Sequence, residues 1–342
     1  MIQGMALFVA GTAILLLAAV DMLWTVFLEG AGPLTKYLFP RLGHALRRIH
    51  VRSGIKVQKI AGLLVVLMSL LIWTGLVWLG WSLIFCSSQW AVVSAATHKP
   101  SDVCQRIYFA GTTIFTLGLG DFIPQGPVFQ IATDFATGSG FVLLGLAMAY
   151  LVPVSSAATQ KRQVALNIWC LGHSPADIII RGWNGADTTA LAPHFAALVS
   201  SLTLLAESHI TYPVLYFFFA SRRSSAAGPN IAALDEVITV LECGLDEGCR
   251  LDTPSLGAVR EAITQYLETL RVTLLTLPQE IPPAPSLQTL RDAGIPAASD
   301  ELFREAVAQL APRRKLLLAL TRRDGFEWDS VWPTEGSGAG PA

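Results

Sequence analysis

Apolar residues fill three long runs in the first half of the chain, and polar residues gather between and after them. The first run extends from Met5 to Leu28 and is broken only by Asp21; the second, Ile60 to Phe85, carries no charge; the third, Val128 to Val154, is broken only by Asp134. A helix needs roughly 20 apolar residues to cross the hydrocarbon core of a bilayer, so each run predicts a spanning helix. The first has no basic residue ahead of it and no small-residue cleavage site, which favours a retained span over a secretory leader.

From Ser155 onward charge becomes frequent, and Pro and Gly cut the chain into helical lengths. Thr188 to Tyr212 patterns as a helix with a broad apolar face. Ile231, Leu234, Val237, Ile238 and Leu241 share one helical face, and Leu256, Val259, Ile263, Leu267, Leu270 and Leu274 another. Leu302, Val307 and Leu310 open a third helix that continues through Arg313, Arg314 and Lys315 to Leu320. The segment "DIIIRGW" from Asp177 to Trp183 is short enough to read as a strand. Tyr212 to Ala220, "YPVLYFFFA", is too short to span and fits either core or a membrane surface. Pro282, Pro283 and Pro285 mark a linker, and the terminal "PTEGSGAGPA" is expected to be disordered.

Composition sharpens this division. Of 342 residues, 52% are hydrophobic and 14% charged, against about a quarter charged in soluble domains. A net charge of -1 lacks the basic excess of a nucleic-acid binder. Charge also orients the spans. Lys36, Arg41, Arg47, Arg48, Arg52, Lys56 and Lys59 lie between Ala31 and Lys59 with no acidic residue, and such a loop stays in the cytoplasm. The N-terminus is then outside, the segment from Cys86 to Pro127 is outside or dips into the membrane, and the third span returns inward to Lys161 and Arg162. A surface helix lying on anionic lipid gives the same topology. Trp78, Trp81 and Trp90 fall near the outer boundary, where indole rings tend to sit.

Between the second and third spans runs "GTTIFTLGLGDFIP", Gly111 to Pro124. Val103, Ile107, Tyr108, Ile114 and Phe115 have spacings that suit a short helix before it. Irregular backbone at membrane depth is tolerated only where it is buried in protein or lines a water-filled path. A cation entering such a path needs its hydration oxygens replaced, and main-chain carbonyls do this if they all face one axis. That requires alternate residues in conformations closed to most side chains, and Gly118 and Gly120 stand at alternate positions. Thr116 adds a hydroxyl at the inner end. Leu117 and Leu119 are expected to point away from the axis and pack on the short helix, whose negative C-terminal end aims at the ion path.

Thr116 to Asp121, "TLGLGD", resembles the potassium-channel selectivity filter Thr-Val-Gly-Tyr-Gly-Asp, and Pro124 fits the proline that commonly follows it. The resemblance covers about residues 60 to 154. It implies a homotetramer around one pore, with the potassium ion held by oxygens of Thr116, Leu117, Gly118 and Leu119, Gly120 serving filter geometry and Asp121 setting charge at the outer mouth. Two departures stand out: Leu119 replaces the usual Tyr and loses its hydroxyl, and Phe115 replaces a frequent Thr.

The third span fits the pore-lining helix. Gly140 is a candidate hinge or a close-packing position, Gly138 and Gly145 favour packing, and Pro153 marks a kink or an end. Asp134 is a candidate filter-tuning carboxylate behind the filter and the short helix, with a structural contact to a neighbouring Ser or Thr as the alternative. Asp21 reads as a side chain snorkelling to the interface. Cys86 and Cys104 fall on the outer side, where a disulfide is chemically reasonable. Cys170, Cys243 and Cys249 give no metal signal. His194 and His209 share a helix and read as core or surface residues, or as a pH sensor.

The expected fold is an all-α membrane protein. An N-terminal span and basic cytoplasmic loop occupy 1–59, and a pore domain of outer helix, re-entrant pore helix, filter and inner helix occupies 60–154. A C-terminal cytoplasmic helical bundle with a disordered tail occupies 155–342. The expected function is passive, potassium-selective conduction gated through the C-terminal part, with potassium as permeant ion, no cofactor, no enzyme chemistry, no nucleic-acid partner and an unknown cytoplasmic ligand. The alternatives are a non-selective cation channel and a non-conducting membrane sensor.

Overall fold

Each apolar run forms a helix, because a chain in lipid must satisfy its backbone groups internally. In a computed structural model describing residues 2–53, 60–249, 253–271 and 277–333, they are α1 (Ile2–Phe27), α3 (Ala61–Cys86) and α5 (Pro127–Leu171), with α2 (Pro33–Ser53) after α1. The protein is an all-α membrane protein whose strand content, among the described residues, is one two-stranded ribbon. By Cα proximity the chain divides into two compact units, 1–155 with 211–217, and 156–210 with 218–342.

In the first unit α1 lies against α3 along glycine contacts. A Cβ on Gly11 would fall 2.6 Å from the Gly80 carbonyl oxygen, and one on Gly80 would fall 2.7 Å from Leu15. Small residues thus let the two backbones touch, the usual means of helix association in lipid. The first span is packed along α3.

Asp21 overturns its expected role. It is fully buried, and its carboxylate accepts four hydrogen bonds: Oδ1 from Leu34 N–H (2.7 Å) and Thr35 N–H (3.0 Å), Oδ2 from the Thr35 hydroxyl (2.6 Å) and Trp73 Nε1 (2.9 Å). The first amides of α2 have no partner inside their own helix. Asp21 supplies one from the preceding span, and Pro33 has no amide to satisfy. The basic segment is therefore a helix pinned at its start, with Thr35 and Phe39 buried and Lys36, Tyr37 and Arg41 exposed. Lys56 and Lys59 lie outside the described residues.

Trp73 also meets Tyr150 of α5 edge-on at 5.7 Å, and Tyr150 meets Tyr212 at 6.5 Å. The run after Tyr212 resolves as core: Pro213–Phe217 is a 3-10 turn, buried from Val214 to Phe217, with Phe217 edge-on to Phe39 at 6.3 Å. Trp81, expected at the membrane boundary, is a packing residue; it is buried and donates Nε1 to Ser139 Oγ at 3.0 Å.

Pro153 does not end the third span. α5 has 45 residues with Pro153 inside it, roughly 68 Å at 1.5 Å per residue, more than twice the hydrocarbon thickness. Its last part, 156–171, belongs to the second unit.

In the second unit α6 (Pro175–Gly182) replaces the expected strand. Ser174 accepts from Asp177 N–H, Pro175 opens the first turn, and Ile178 and Ile179 are buried; these caps outweigh the β preference of three isoleucines. α7 (Ala192–Thr211) buries Phe195, Leu198, Leu202 and Leu205 on one face. With the short turn before it, α7 is also long and apolar enough to cross a membrane, a fourth such helix beside the three foreseen. α8 (Ala227–Cys243) is buried throughout from Ala227 to Leu241 and packs against α6, α9 (Thr253–Arg271) and two helices near the C-terminus. Leu274 lies outside the described residues. A short α10 (Gln288–Asp292) precedes α11 (Asp300–Gln309) and α12 (Ala311–Arg323). The single helix expected from Leu302 to Leu320 is thus two, divided at Leu310 where Pro312 allows only a first-turn position, and Leu302 is exposed rather than buried.

Buried charge ties this unit together. Asp235 on α8 meets Arg260 (3.2 Å) and Arg313 (2.7 Å), and Glu236 meets Arg314 (2.7 Å). Arg314 also donates to the carbonyls of Pro282 and Pro283 at 2.9 and 2.8 Å, so the proline segment is fastened and is not a free linker. Residues 334–342 of the expected disordered tail lie outside the described residues.

Candidate ion pathway

Cys86, which ends α3, and Cys104, in the connection to α5, are both free and form no disulfide within the chain. The short helix is α4 (Val103–Ile114). Asp102 caps it reciprocally with Gln105: the Asp102 carboxylate accepts Gln105 N–H at 2.8 Å and the Gln105 side chain accepts Asp102 N–H at 2.9 Å. Trp78 of α3 fixes the far end of α4. Its Nε1 donates to the Ile107 carbonyl at 3.0 Å, its indole lies where a Cβ on Gly111 would meet it at 3.2 Å, and its ring meets Phe115 edge-on at 6.3 Å.

The backbone then leaves the helix. Thr116 N–H donates to Thr113 O at 3.0 Å and Leu117 N–H to Thr112 O at 2.8 Å. Beyond that point the backbone alternates: φ is +55° at Thr116, +58° at Gly118 and +76° at Gly120, while Leu117 and Leu119 are not among the positive-φ residues. Two of the three left-handed positions are glycine, where that conformation costs little. The third is Thr116, where it is uncommon for a β-branched residue and marks stored strain. A ribbon that presents successive carbonyls to one side, as coordination of a bare cation requires, needs such an alternation of sign.

Every residue from Phe115 to Asp121 is exposed in the single chain. Leu117 (59% exposed) and Leu119 (61%), expected to pack on the short helix, are left largely uncovered within the single chain. Asp134, the candidate tuning carboxylate, is exposed in the single chain. Thr133 and Thr137 are the residues of α5 that line a recess of about 330 Å³ behind Thr116, Gly118 and Asp121, together with Thr112 and Thr113 of α4. A helical pattern of apolar residues carried no signal for these threonines.

Gly140 is a close-packing position. An added Cβ would collide with the Ile114 carbonyl oxygen and come within 2.9 Å of its carbon, so α5 passes against the C-terminal end of the pore helix there. Gly138 and Gly145 have nothing within 4 Å of an added Cβ in the single chain, so the packing expected of them is not made within it.

Past the filter, Asp121 Oδ1 accepts from Phe122 N–H at 3.1 Å, and the Tyr108 hydroxyl of the pore helix lies against the Asp121 carboxylate. β2 (Phe122–Pro124) pairs antiparallel with β1 (Val92–Ser94) of the turret, a ribbon that sequence pattern did not announce because each strand has three residues.

Residues 66–155 match the family of ion-channel pore sequences, a stretch that holds most of α3, the pore helix, the filter segment and the pore-lining part of α5. The chain is also similar along nearly its whole length, 33% identical over 322 residues and 94% of each chain, to the uncharacterized membrane protein YdjJ of Bacillus subtilis (strain 168). The chain belongs to the potassium-channel pore-loop family. No solved structure matches it. Within this pore-loop protein, α3 is accordingly the outer helix, α4 the pore helix and α5 the inner helix, and α1 with α2 is an addition that precedes the pore.

Proposed function

We propose that the protein is one subunit of a homotetrameric potassium channel that passes the ion passively along carbonyl oxygens of Thr116, Leu117, Gly118 and Leu119. The observation that carries the reading is the alternation of backbone sign at Thr116, Gly118 and Gly120 in a ribbon left exposed by the single chain. One such ribbon supplies a quarter of a coordination cage, and four around an axis complete it. Asp121 stands at the exit and sets negative charge at the mouth. In this reading the N-terminus and the turret face outward and the second unit is cytoplasmic, since the basic stretch from Lys36 to Lys59 stays inside. Gating enters through α5, which carries the inner helix without interruption into the second unit.

Potassium flux into liposomes holding the purified full-length protein tests this reading. Gly118→Ala would force alanine into the left-handed region, at roughly 1–2 kcal/mol per subunit. Open space around Gly118 leaves the fold itself undisturbed. Flux in the parent and its loss in assembled Gly118→Ala are expected; equal flux in the two overturns the proposal. A second reading, a non-selective monovalent cation channel, draws on Leu119, which offers no hydroxyl to hold the ribbon. A potassium-to-sodium flux ratio near one would select it.

A further inference from the structure

Leu119 has no polar atom with which to fasten the filter, yet the backbone at the exit of the filter is fastened from another direction. β1 of the turret pairs Val92 with Pro124, Val93 with Ile123 and Ser94 with Phe122. The ladder extends at both ends: Ala95 N–H donates to the Asp121 carbonyl at 3.0 Å, and Gln125 N–H donates to the Ala91 carbonyl at 3.0 Å. Two three-residue strands are marginal by themselves, so something must hold the turret strand in place.

The holder is on the pore helix. Ser101 donates both N–H (3.1 Å) and hydroxyl (2.8 Å) to the Val92 carbonyl. Arg106, 9% exposed, donates Nε and Nη2 to the Ser101 carbonyl at 3.2 and 2.9 Å and Nη1 to the Ser88 carbonyl at 3.2 Å. A guanidinium spreads its donors in a fixed planar fork, so one residue of α4 joins the two ends of the turret. The connections run from Arg106 through Ser101 to Val92, across the ribbon, and through Ala95 to the last residue of the filter segment.

We propose that the turret is the outer clamp of the filter, that Arg106 is its positioning residue, and that the Ala95–Asp121 backbone bond is where it acts. Discrimination of potassium from sodium depends on the ribbon keeping its carbonyls in place, so the clamp contributes to it. This inference rests on the potassium-filter reading.

Four variants of the full chain in liposomes test it. Arg106→Met keeps an apolar stem and loses all three bonds; Ala95→Pro removes the one amide that reaches Asp121. Each is expected to lower the potassium-to-sodium flux ratio about tenfold, equivalent to about 1.4 kcal/mol, with tetramer assembly unchanged. Ala95→Gly keeps the amide and Arg106→Lys keeps a donor, so both are expected to stay nearer the parent. Parent ratios in assembled Arg106→Met and Ala95→Pro overturn the clamp. If Arg106→Met fails to assemble, Ala95→Pro decides alone. A parent ratio near one would sink the potassium reading instead, and hydrogen exchange across 117–121 then judges the clamp: faster exchange in Ala95→Pro than in Ala95→Gly supports it, and equal exchange overturns it.

Discussion

Removing the Asp21 carboxylate is the sharpest test of how the first span is built in. Asp21→Ala strands four donors at once: the amides of Leu34 and Thr35, the Thr35 hydroxyl and Trp73 Nε1. A stranded buried donor costs roughly 1–3 kcal/mol. Leu34 is only half-buried, so water takes over part of its demand, whereas Thr35 and Trp73 are 1% exposed and have no such relief. The sum expected is about 4 kcal/mol, enough to lower the melting temperature of the purified protein by on the order of 10 °C. Asp21→Asn separates the contributions. The amide oxygen can still accept from Leu34 and Thr35, but its NH2 group then faces the Trp73 N–H, donor against donor. That variant should lose the Trp73 bond outright, about 1–2 kcal/mol, while the Thr35 hydroxyl, which donates to the same oxygen, must turn to accept from the new NH2 group. Thermal unfolding in detergent, followed by tryptophan fluorescence and circular dichroism, reads both. An Asp21→Ala protein that melts with the parent would refute the reasoning and restore a snorkelling role at the interface.

Other substitutions probe the remaining joints. Gly140→Ala puts a methyl against the Ile114 backbone, an overpacking cost of about 1–3 kcal/mol, and should reduce both thermal stability and flux; a neutral result denies the close approach. Gly145→Ala meets nothing in its own chain, so a loss of the proposed tetramer on size-exclusion chromatography would locate a neighbouring subunit there, and no loss would place it toward lipid. Asp134→Leu distinguishes the same two surroundings for an exposed carboxylate: impaired assembly indicates a subunit contact, normal assembly a lipid-facing position. In the second unit, Arg314→Met leaves Glu236 buried without its partner and should cost about 3–5 kcal/mol; unfolding at the parent midpoint would contradict the pairing. Burial raises the Glu236 pKa, against a smaller lowering by Arg314. Because the folded value lies above the unfolded one, the contribution of this group is full below the ordinary glutamate range and is lost as pH rises through the raised value. Melting temperature measured upward from the weakly acidic range should decline, and more steeply in Arg314→Met.

The spans were legible because a bilayer imposes length and apolarity on a helix with little tolerance, and the alternating backbone after α4 because left-handed positions favour glycine, as at Gly118 and Gly120. What escaped was set by partners distant in the chain. Asp21 looked like a charge seeking water, since nothing local to it announces Leu34, Thr35 and Trp73 as donors. The turret ribbon is held by backbone amides and by Arg106, and a backbone ladder of three residues a side leaves no periodicity to find. The isoleucines of α6 favoured a strand until Ser174 and Pro175 are given their capping roles. Leu117 and Leu119 read as packing on the short helix, and their exposure in the single chain leaves that surface for whatever completes the pore.

The structure of the purified assembly in potassium is the most direct measurement. Four copies of Thr116–Gly120 around a common axis, with density for ions on that axis between rings of main-chain oxygens, is the expected result. An assembly in which those residues face lipid or bulk solvent, or one with no central conduit between subunits, contradicts the claim that this ribbon takes the place of water around a passing cation.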